Sequence, residues 1–251
     1  FAVPGGVMNA LDDDDRDKLL SGFGQAYETT DAALNIVKDW VGNNLEEVKG
    51  FANFASLYAG LVDENGCPAL YDGKMRVRDH DGAIVAEFDP AGYLEFIAEH
   101  VEPWSYLKFP VFKPRGYPDG CYRVGPLGRL NAADAMGTPK AQQEFDEYKK
   151  LSANGLKGGT LLFHYARLIE LLYCLEKAEK LLQDDQIRGH DIRITADPSN
   201  REGVGAIEAP RGTLIHHYRV DKHGILEKVN LIVATGHNNL AMNRSVNLVA
   251  K

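Results

Sequence analysis

Residues 213–220 and 225–233 both read as β-strands, and Asp221-Lys222-His223-Gly224 stands between them. Two such runs separated by a short glycine-containing turn leave one economical solution, an antiparallel hairpin. A turn centred between Lys222 and His223 sets Arg211 opposite Ala234 and Pro210 opposite Thr235, with Cα atoms roughly 5 Å apart. The open end of the hairpin then gathers Glu208, Ala209, Pro210 and Arg211 beside Val233, Ala234 and Thr235. Proline withholds a backbone donor and fixes the approach of the arginine, and Gly212 lets another group pass closely. Arginine keeps its charge and presents forked donors, which suit an anion or an electron-rich ligand. Two readings of this corner stand side by side. Either it faces such a ligand, or it is a surface turn whose arginine pairs with a carboxylate such as Glu208. His216 and His217 are adjacent in a strand, so they point to opposite faces and cannot chelate one metal together. One of them suits a buried, hydrogen-bonded role.

The rest of the chain alternates helical and strand-like segments. Residues 11–58 have a helical pattern, and the acidic run Asp12 to Asp15 suits a helix N-terminus better than a cation site. The stretch 70–89 alternates on both sides of Asp79-His80-Asp81-Gly82 and predicts a second hairpin. That tetrapeptide resembles the start of a calcium loop but lacks the twelfth-position glutamate. Asp89-Pro90 opens a helix to about His100, followed by a proline-rich aromatic loop. Thr138-Pro139 places an N-cap and a first-turn proline before a helix to about Leu151. After Gly158-Gly159, residues 160–183 predict a long helix with Leu161, Leu162, Tyr165, Leu168, Ile169, Leu172, Leu175 and Leu182 on one broad face. His164 reads there as a core histidine, with Glu170 near the same face. The expected class is α+β, mostly helical with two β-hairpins, in a single domain over residues 1–251.

Bulk properties narrow the function. A net charge of −8 gives no basic field for nucleic acid, and no apolar run reaches the length of a membrane span. Cys67, Cys121 and Cys174 are far apart and form no Cys-x-x-Cys, so neither a disulfide framework nor a local thiolate metal site is encoded. A reduced, cytoplasmic setting is expected. The chain begins at Phe1 within a turn-like stretch and stops at Lys251 within an apolar-rich one, which reads as the middle of a longer protein.

The segments EGVGAIEAPRGTLIHHYR (202–219) and NLIVATGHNNLAMNRSV (230–246) resemble the large subunit of nickel–iron hydrogenases, closest to the cytoplasmic, bidirectional, NAD-reducing type. VPGGV (3–7), WSYLKFP (104–110), RVGPLGRLN (123–131) and ARLIE (166–170) agree in the same order, so the similarity runs along essentially the whole chain. EAPRG alone is less specific, because the related quinone-site subunit of respiratory complex I carries a degenerate version. The resemblance implies that Arg211 hangs over a nickel–iron centre bearing cyanide and carbonyl ligands and that Pro210 packs against those diatomics. It likewise implies that Val233, Ala234 and Thr235 line the pocket of one cyanide. Family members hold their metals with four thiolates from a Cys-x-x-Cys near each end, and neither pair occurs here. The glutamate that relays protons and a C-terminal histidine also lie outside these residues. Cys67, Cys121 and Cys174 do not stand at ligand positions, and Gly236 and His237 replace an expected hydroxyl and a larger or amide side chain.

The implied parent protein reversibly oxidises dihydrogen. It passes electrons through a small subunit with iron–sulfur clusters to a diaphorase module and NAD. The chain as given is expected to be inactive and to bind no metal, as the central segment of the large subunit. Two alternatives come from other classes: a non-enzymatic scaffold subunit related to the complex I quinone-site subunit, and a small-anion-binding module built on Arg211.

Overall fold

A computed structural model describes residues 2–3, 5–152, 158–195 and 200–250. Phe1, Lys251 and Pro4 of the 3–7 motif lie outside them. The two-residue strands β1 (Ala2–Val3) and β2 (Gly6–Val7) pair with each other. They precede helices α1 (Asp13–Ser21), α2 (Phe23–Asn43) and α3 (Leu45–Gly50). Asp12 caps α1, its carboxylate accepting from the Asp15 N–H at 2.8 Å, so the acidic run is a helix start. The helical region ends at Gly50, short of the expected boundary. Leu57–Val62 forms β3, buried at every position. A strand covered on both faces shows no alternation, and that is why the pattern missed it.

The second expected hairpin is present as β4 (Lys74–Arg78) and β5 (Ile84–Phe88), with the Asp79 carboxylate accepting from the N–H groups of Asp81 and Ala83. The helix expected from Asp89 shrinks to the single turn α4 (Tyr93–Phe96). The chain then runs straight into β6 (Ile97–His100), which pairs with β7 (Phe109–Phe112) inside the stretch expected to be loop. β8 (Tyr122–Arg123) adds in parallel to β3, giving a four-stranded sheet of order β5-β4-β3-β8. From β8 the chain enters α5 (Pro126–Ala132), every residue of which is buried.

Helices α6 (Pro139–Lys149) and α7 (Phe163–Gln183) follow, and α7 packs against α2, α6 and α5. Leu162, Tyr165, Ile169 and Leu172 join Leu34, Val41, Leu130 and Phe145 in one apolar core. His164, read as a core residue, is exposed instead. The last sheet has three strands in the order β11-β10-β9, namely β9 (Glu202–Ala209), β10 (Gly212–Val220) and β11 (Leu226–Ile232). β9 was not expected: Gly203 and Gly205 interrupt its apolar positions. Ile215 and Ile232 of this sheet meet Leu57, Leu61, Met75 and Val77 of the other in a second core. The short α8 (Ala234–His237) and α9 (Asn239–Val249) close the described chain. The α+β class stands, with more sheet than two hairpins.

Thr138 occupies the N-cap of α6, yet its hydroxyl makes no cap bond and is buried without a described partner. Glu176, reaching across from α7, takes that role by accepting from the backbone N–H groups of Lys140 at 2.9 Å and Ala141 at 3.0 Å. Glu176→Ala is therefore expected to cost ~1–2 kcal/mol in urea unfolding, as a lost cap does. Thr138→Ala is expected to stay within ~0.5 kcal/mol of the parent chain.

Candidate functional site

The site is built outward from Arg129 on α5. Gly60 of β3 and Gly128 let the helix lie against the strand: a Cβ at Gly60 would come within 3.0 Å of the Arg129 Cα, and one at Gly128 within 2.8 Å of the Ala59 carbonyl. Arg129 is thereby sealed at 3% exposure. Its Nε and Nη2 donate to the two carboxylate oxygens of Glu170 at 2.5 and 2.7 Å. Its Nη1 donates to Glu208 Oε2 at 2.7 Å and to the Ala209 carbonyl at 2.9 Å. The other Glu208 oxygen accepts from the Leu61 N–H at 2.9 Å and the Thr213 hydroxyl at 2.8 Å. Burial pushes the Glu208 carboxyl above the usual carboxylate range, and the Arg129 charge opposes that only in part. Glu208 thus pairs with Arg129 and not with Arg211, which removes the carboxylate partner that the surface-turn reading offered.

Glu208 and Thr213 flank the connection between β9 and β10, where Ala209 faces Gly212 and Pro210-Arg211 forms a two-residue turn. Proline suits the first turn position because its φ is already set. Gly212 takes a φ of 134°, and a Cβ there would lie 2.3 Å from Val124 Cγ2 and 2.8 Å from the Gly125 N. Gly125 has a φ of 85°, and its own Cβ would lie 2.9 Å from the Arg211 carbonyl oxygen. The turn is pinned by the triad on one side and by Val124-Gly125 on the other. Pro210 and Arg211 are themselves exposed, and Arg211 makes no hydrogen bond or ion pair with any described residue.

The second half of the corner is placed differently from the expectation. β10 pairs with β11 so that His216 faces Leu231 and Tyr218 faces Val229, two residues out of the expected register. The loop is longer than assumed: the Asp221 carboxylate accepts from the N–H groups of His223 and Ile225, and the ladder shifts between Arg219 and Val220. A slip of two keeps every side chain on its face. It removes Ala234 and Thr235 from the ladder, however, since pairing ends at Ile232 and the chain turns into α8. α8 packs on β10, so the two halves still meet.

What holds them together is the segment before α5. The Tyr122 hydroxyl and His237 Nδ1 share a hydrogen bond. Asn238 Oδ1 accepts from the Val124 N–H at 2.9 Å, and its Nδ2 donates to the Val124 carbonyl at 3.4 Å. Val124 is the residue that abuts Gly212. Val233 and Thr235 are exposed, as are Pro210 and Arg211, whereas Ala234, Thr213 and His237 behind them are buried. Burial in apolar surroundings pushes the His237 pKa down from 6.5 to about 3, and this imidazole fills the place where an amide or larger side chain was expected.

The other candidates fall elsewhere. His217 is the buried, hydrogen-bonded histidine: Nδ1 meets the Tyr93 hydroxyl at 3.1 Å and Nε2 meets Glu202 at 2.8 Å, while His216 contacts Tyr218. Cys67 and Cys121 are buried and free. Among the described residues no group of three or more His, Cys, Asp or Glu side chains could hold a metal. A cleft of about 610 Å³ lies on the outer face of the last sheet, lined by Tyr71, Ile207, Leu214 and His216 and by none of the corner residues.

Comparison with known proteins gives the family. The family described as nickel-dependent hydrogenase matches residues 41–245. A polypeptide of the F420-non-reducing hydrogenase of Methanothermobacter thermautotrophicus is 42% identical over 252 residues, covering 100% of this chain and 52% of that protein. The beta subunit of the NAD-reducing hydrogenase HoxS of Cupriavidus necator is 38% identical over 258 residues, covering 100% of this chain and 53% of its own. A crystal structure of an NAD+-reducing NiFe-hydrogenase in the H2-reduced state is similar at a TM-score of 0.92 and 39% identity. That match covers 97% of this chain and 54% of the other. The chain spans about half the length of the curated relatives it matches.

Two outcomes test the geometry. Gly212→Ala, which needs both a left-handed-side φ and the space held by Val124, is expected to destabilise the chain by ~2–4 kcal/mol in thermal or denaturant unfolding. His237 binds its proton less readily folded than unfolded, so its contribution is whole above pH 6.5 and is lost as the pH falls towards 3. His237→Asn is expected to flatten the acid limb of the stability curve in that window, by at most ~1.4 kcal/mol per pH unit.

Proposed function

This chain belongs to the nickel-dependent hydrogenase family, and from that premise we propose that it forms the part of a hydrogenase large subunit that surrounds a nickel–iron centre without coordinating it. The observation that carries the reading is the corner itself. Two separately anchored segments, Pro210-Arg211 and Val233–Thr235, of which all but Ala234 is exposed, are fixed to one buried frame, and the arginine has no partner among the described residues. The donor chemistry fits a metal bearing anionic ligands. Arg211 supplies a permanent positive charge, Thr235 a hydroxyl, and Pro210 and Val233 apolar surface. It does not fit direct ligation, since no suitable cluster occurs among the described residues.

When bound, the nickel–iron centre with its cyanide and carbonyl ligands would supply the chemistry of dihydrogen oxidation and proton reduction. Arg211 would act as fixed electrostatic support, already oriented before any substrate arrives. Its guanidinium offers donors and no acceptor, so it orients a ligand rather than taking a proton from it. Glu208 is equally unavailable for proton exchange with the centre, because both its oxygens are engaged behind the turn by Arg129, Leu61 and Thr213. Val233, Ala234 and Thr235 would line the pocket of one cyanide, with the Thr235 hydroxyl donating to its nitrogen.

For the parent complex, we take the acceptor to be NAD. Electrons would leave through the iron–sulfur clusters of a small subunit towards a diaphorase module, in a cytoplasmic enzyme. The whole-chain similarity to NAD-reducing enzymes supports this, and no described helix is long and apolar enough to cross a membrane. The relatives named above are hydrogenases, which favours this reading over the complex I-like scaffold. Taken alone, the chain lacks a ligand set among its described residues and is proposed to be inactive.

The test is Arg211→Lys in the full-length large subunit, in complex with its partners. Lysine keeps the charge and loses the planar fork. Hydrogen oxidation is expected to fall at least tenfold with nickel content unchanged, on the scale of removing one preorganised donor. Turnover close to that of the parent enzyme rejects the role of Arg211.

A further inference from the structure

Asn238 stands at a junction where its ordinary use is obvious and is not taken. It is the N-cap residue of α9, a position that asparagine favours because its side-chain oxygen can accept from the second or third N–H of the helix. Here that cap bond is not made. The side chain turns instead towards a residue 114 positions earlier, accepting from the Val124 N–H at 2.9 Å and donating to the Val124 carbonyl at 3.4 Å. One amide thus imitates a rung of β-ladder, tying the end of α8 to the strand that runs into α5.

Val124 is the same residue that fills the space over Gly212, immediately after Arg211. Its amide and carbonyl hold the Val233–Thr235 segment through Asn238, while its side chain and the following Gly125 limit the Arg211-Gly212 backbone. β10 and β11 cannot set this spacing, because their ladder ends at Ile215 and Ile232. Beyond it, Asn238 and the neighbouring Tyr122–His237 contact are hydrogen bonds that fasten α8 to the frame carrying the arginine turn.

We propose that Asn238 is a positioning residue that sets the gap between Arg211 and Thr235. This rests on the reading of that corner as the surround of a nickel–iron centre. The two bonds rank the variants. Asn238→Asp keeps the acceptor for the Val124 N–H but sets a carboxylate oxygen against the Val124 carbonyl in place of the longer bond, while its charge is tolerated at a helix N-terminus. Asn238→Ala loses both bonds and leaves the Val124 N–H unmatched.

The experiment uses the full-length large subunit with its partners and compares both variants with Arg211→Lys. For Asn238→Ala, kcat is expected to fall roughly 10- to 100-fold, as when reacting groups are misplaced by about 1 Å, with KM little changed. The infrared bands of the diatomic ligands on iron are expected to shift, and amide exchange at Val124 to accelerate in protein prepared without metal. Asn238→Asp, which keeps the shorter bond, is expected to fall between Asn238→Ala and the parent enzyme in bands and kcat. If Asn238→Ala only lowers Tm and nickel content, with unshifted bands in the loaded fraction, the residue is structural and the inference fails. It fails as well if kcat and bands match the parent enzyme while Arg211→Lys is impaired. An unimpaired Arg211→Lys instead rejects the reading of the site, separately from the Val124 exchange result.

Discussion

One buried guanidinium organises the structure. Arg129 is surrounded by two carboxylates and a carbonyl, and its partners come from positions 41 to 80 residues away. Burial disfavours its charge, but Glu170 and Glu208 more than compensate, and it is held protonated. Such a cluster is weak evidence for net stability, since burying three charges costs nearly what their attraction returns. Its effect is on specificity. An arginine fork satisfied by Glu170 on both prongs and by Glu208 and Ala209 on the remaining nitrogen admits one arrangement of α5, α7 and β9. Any slippage leaves a charge buried without its partner, a loss of ~3–5 kcal/mol. The motifs 123–131, 166–170 and 202–219, scattered along the sequence, are the three walls of this cluster.

From that anchor the corner acquires its rigidity in short steps. Arg129 holds Glu208 and Ala209, these fix the two ends of β9 and β10, and the turn between them projects Pro210 and Arg211. Val124 and Gly125, a few residues before Arg129, bound the same turn from the other side and carry α8 through Asn238. Both halves of the corner are therefore referred to the segment from Tyr122 to Arg129. Sites of this kind work by having charges in place beforehand, so that no reorganisation is needed when a ligand develops charge.

The sequence made the turn at the corner legible and left its wiring hidden. Pro210-Arg211-Gly212 announced a turn, because Pro210 and Gly212 each have a local conformational reason to stand there. One of the two readings of the corner paired Glu208 with Arg211, three positions away, whereas its partner is Arg129, 79 positions away. Local pattern carries no information about such a distance. β3 and β9 were missed for opposite reasons, complete burial in one case and glycine interruptions in the other. The last hairpin was identified by type, but its register depended on Asp221 organising a longer loop, a side-chain detail that alternation does not report. Gly236 and His237 looked like departures from a family pattern, and His237 is fully buried, its Nδ1 bonded to Tyr122 and its Nε2 without a described partner.

Arg211 is exposed in this chain, and that bears on what it can do in the proposed role. A unit charge acting on another at 4 Å is worth ~1 kcal/mol in water but ~4 kcal/mol at an effective dielectric near 20. An aimed arginine in open solvent is therefore a weak electrostatic device, however well its backbone is held. Its effect depends on being covered, since excluding water strengthens every fixed charge inside a site. The chain spans about half the length of each of these relatives, and under the proposed reading the metal ligands and that cover would come from outside the described residues. On this view the described residues provide the orientation of the corner, while its electrostatic strength comes from the assembly.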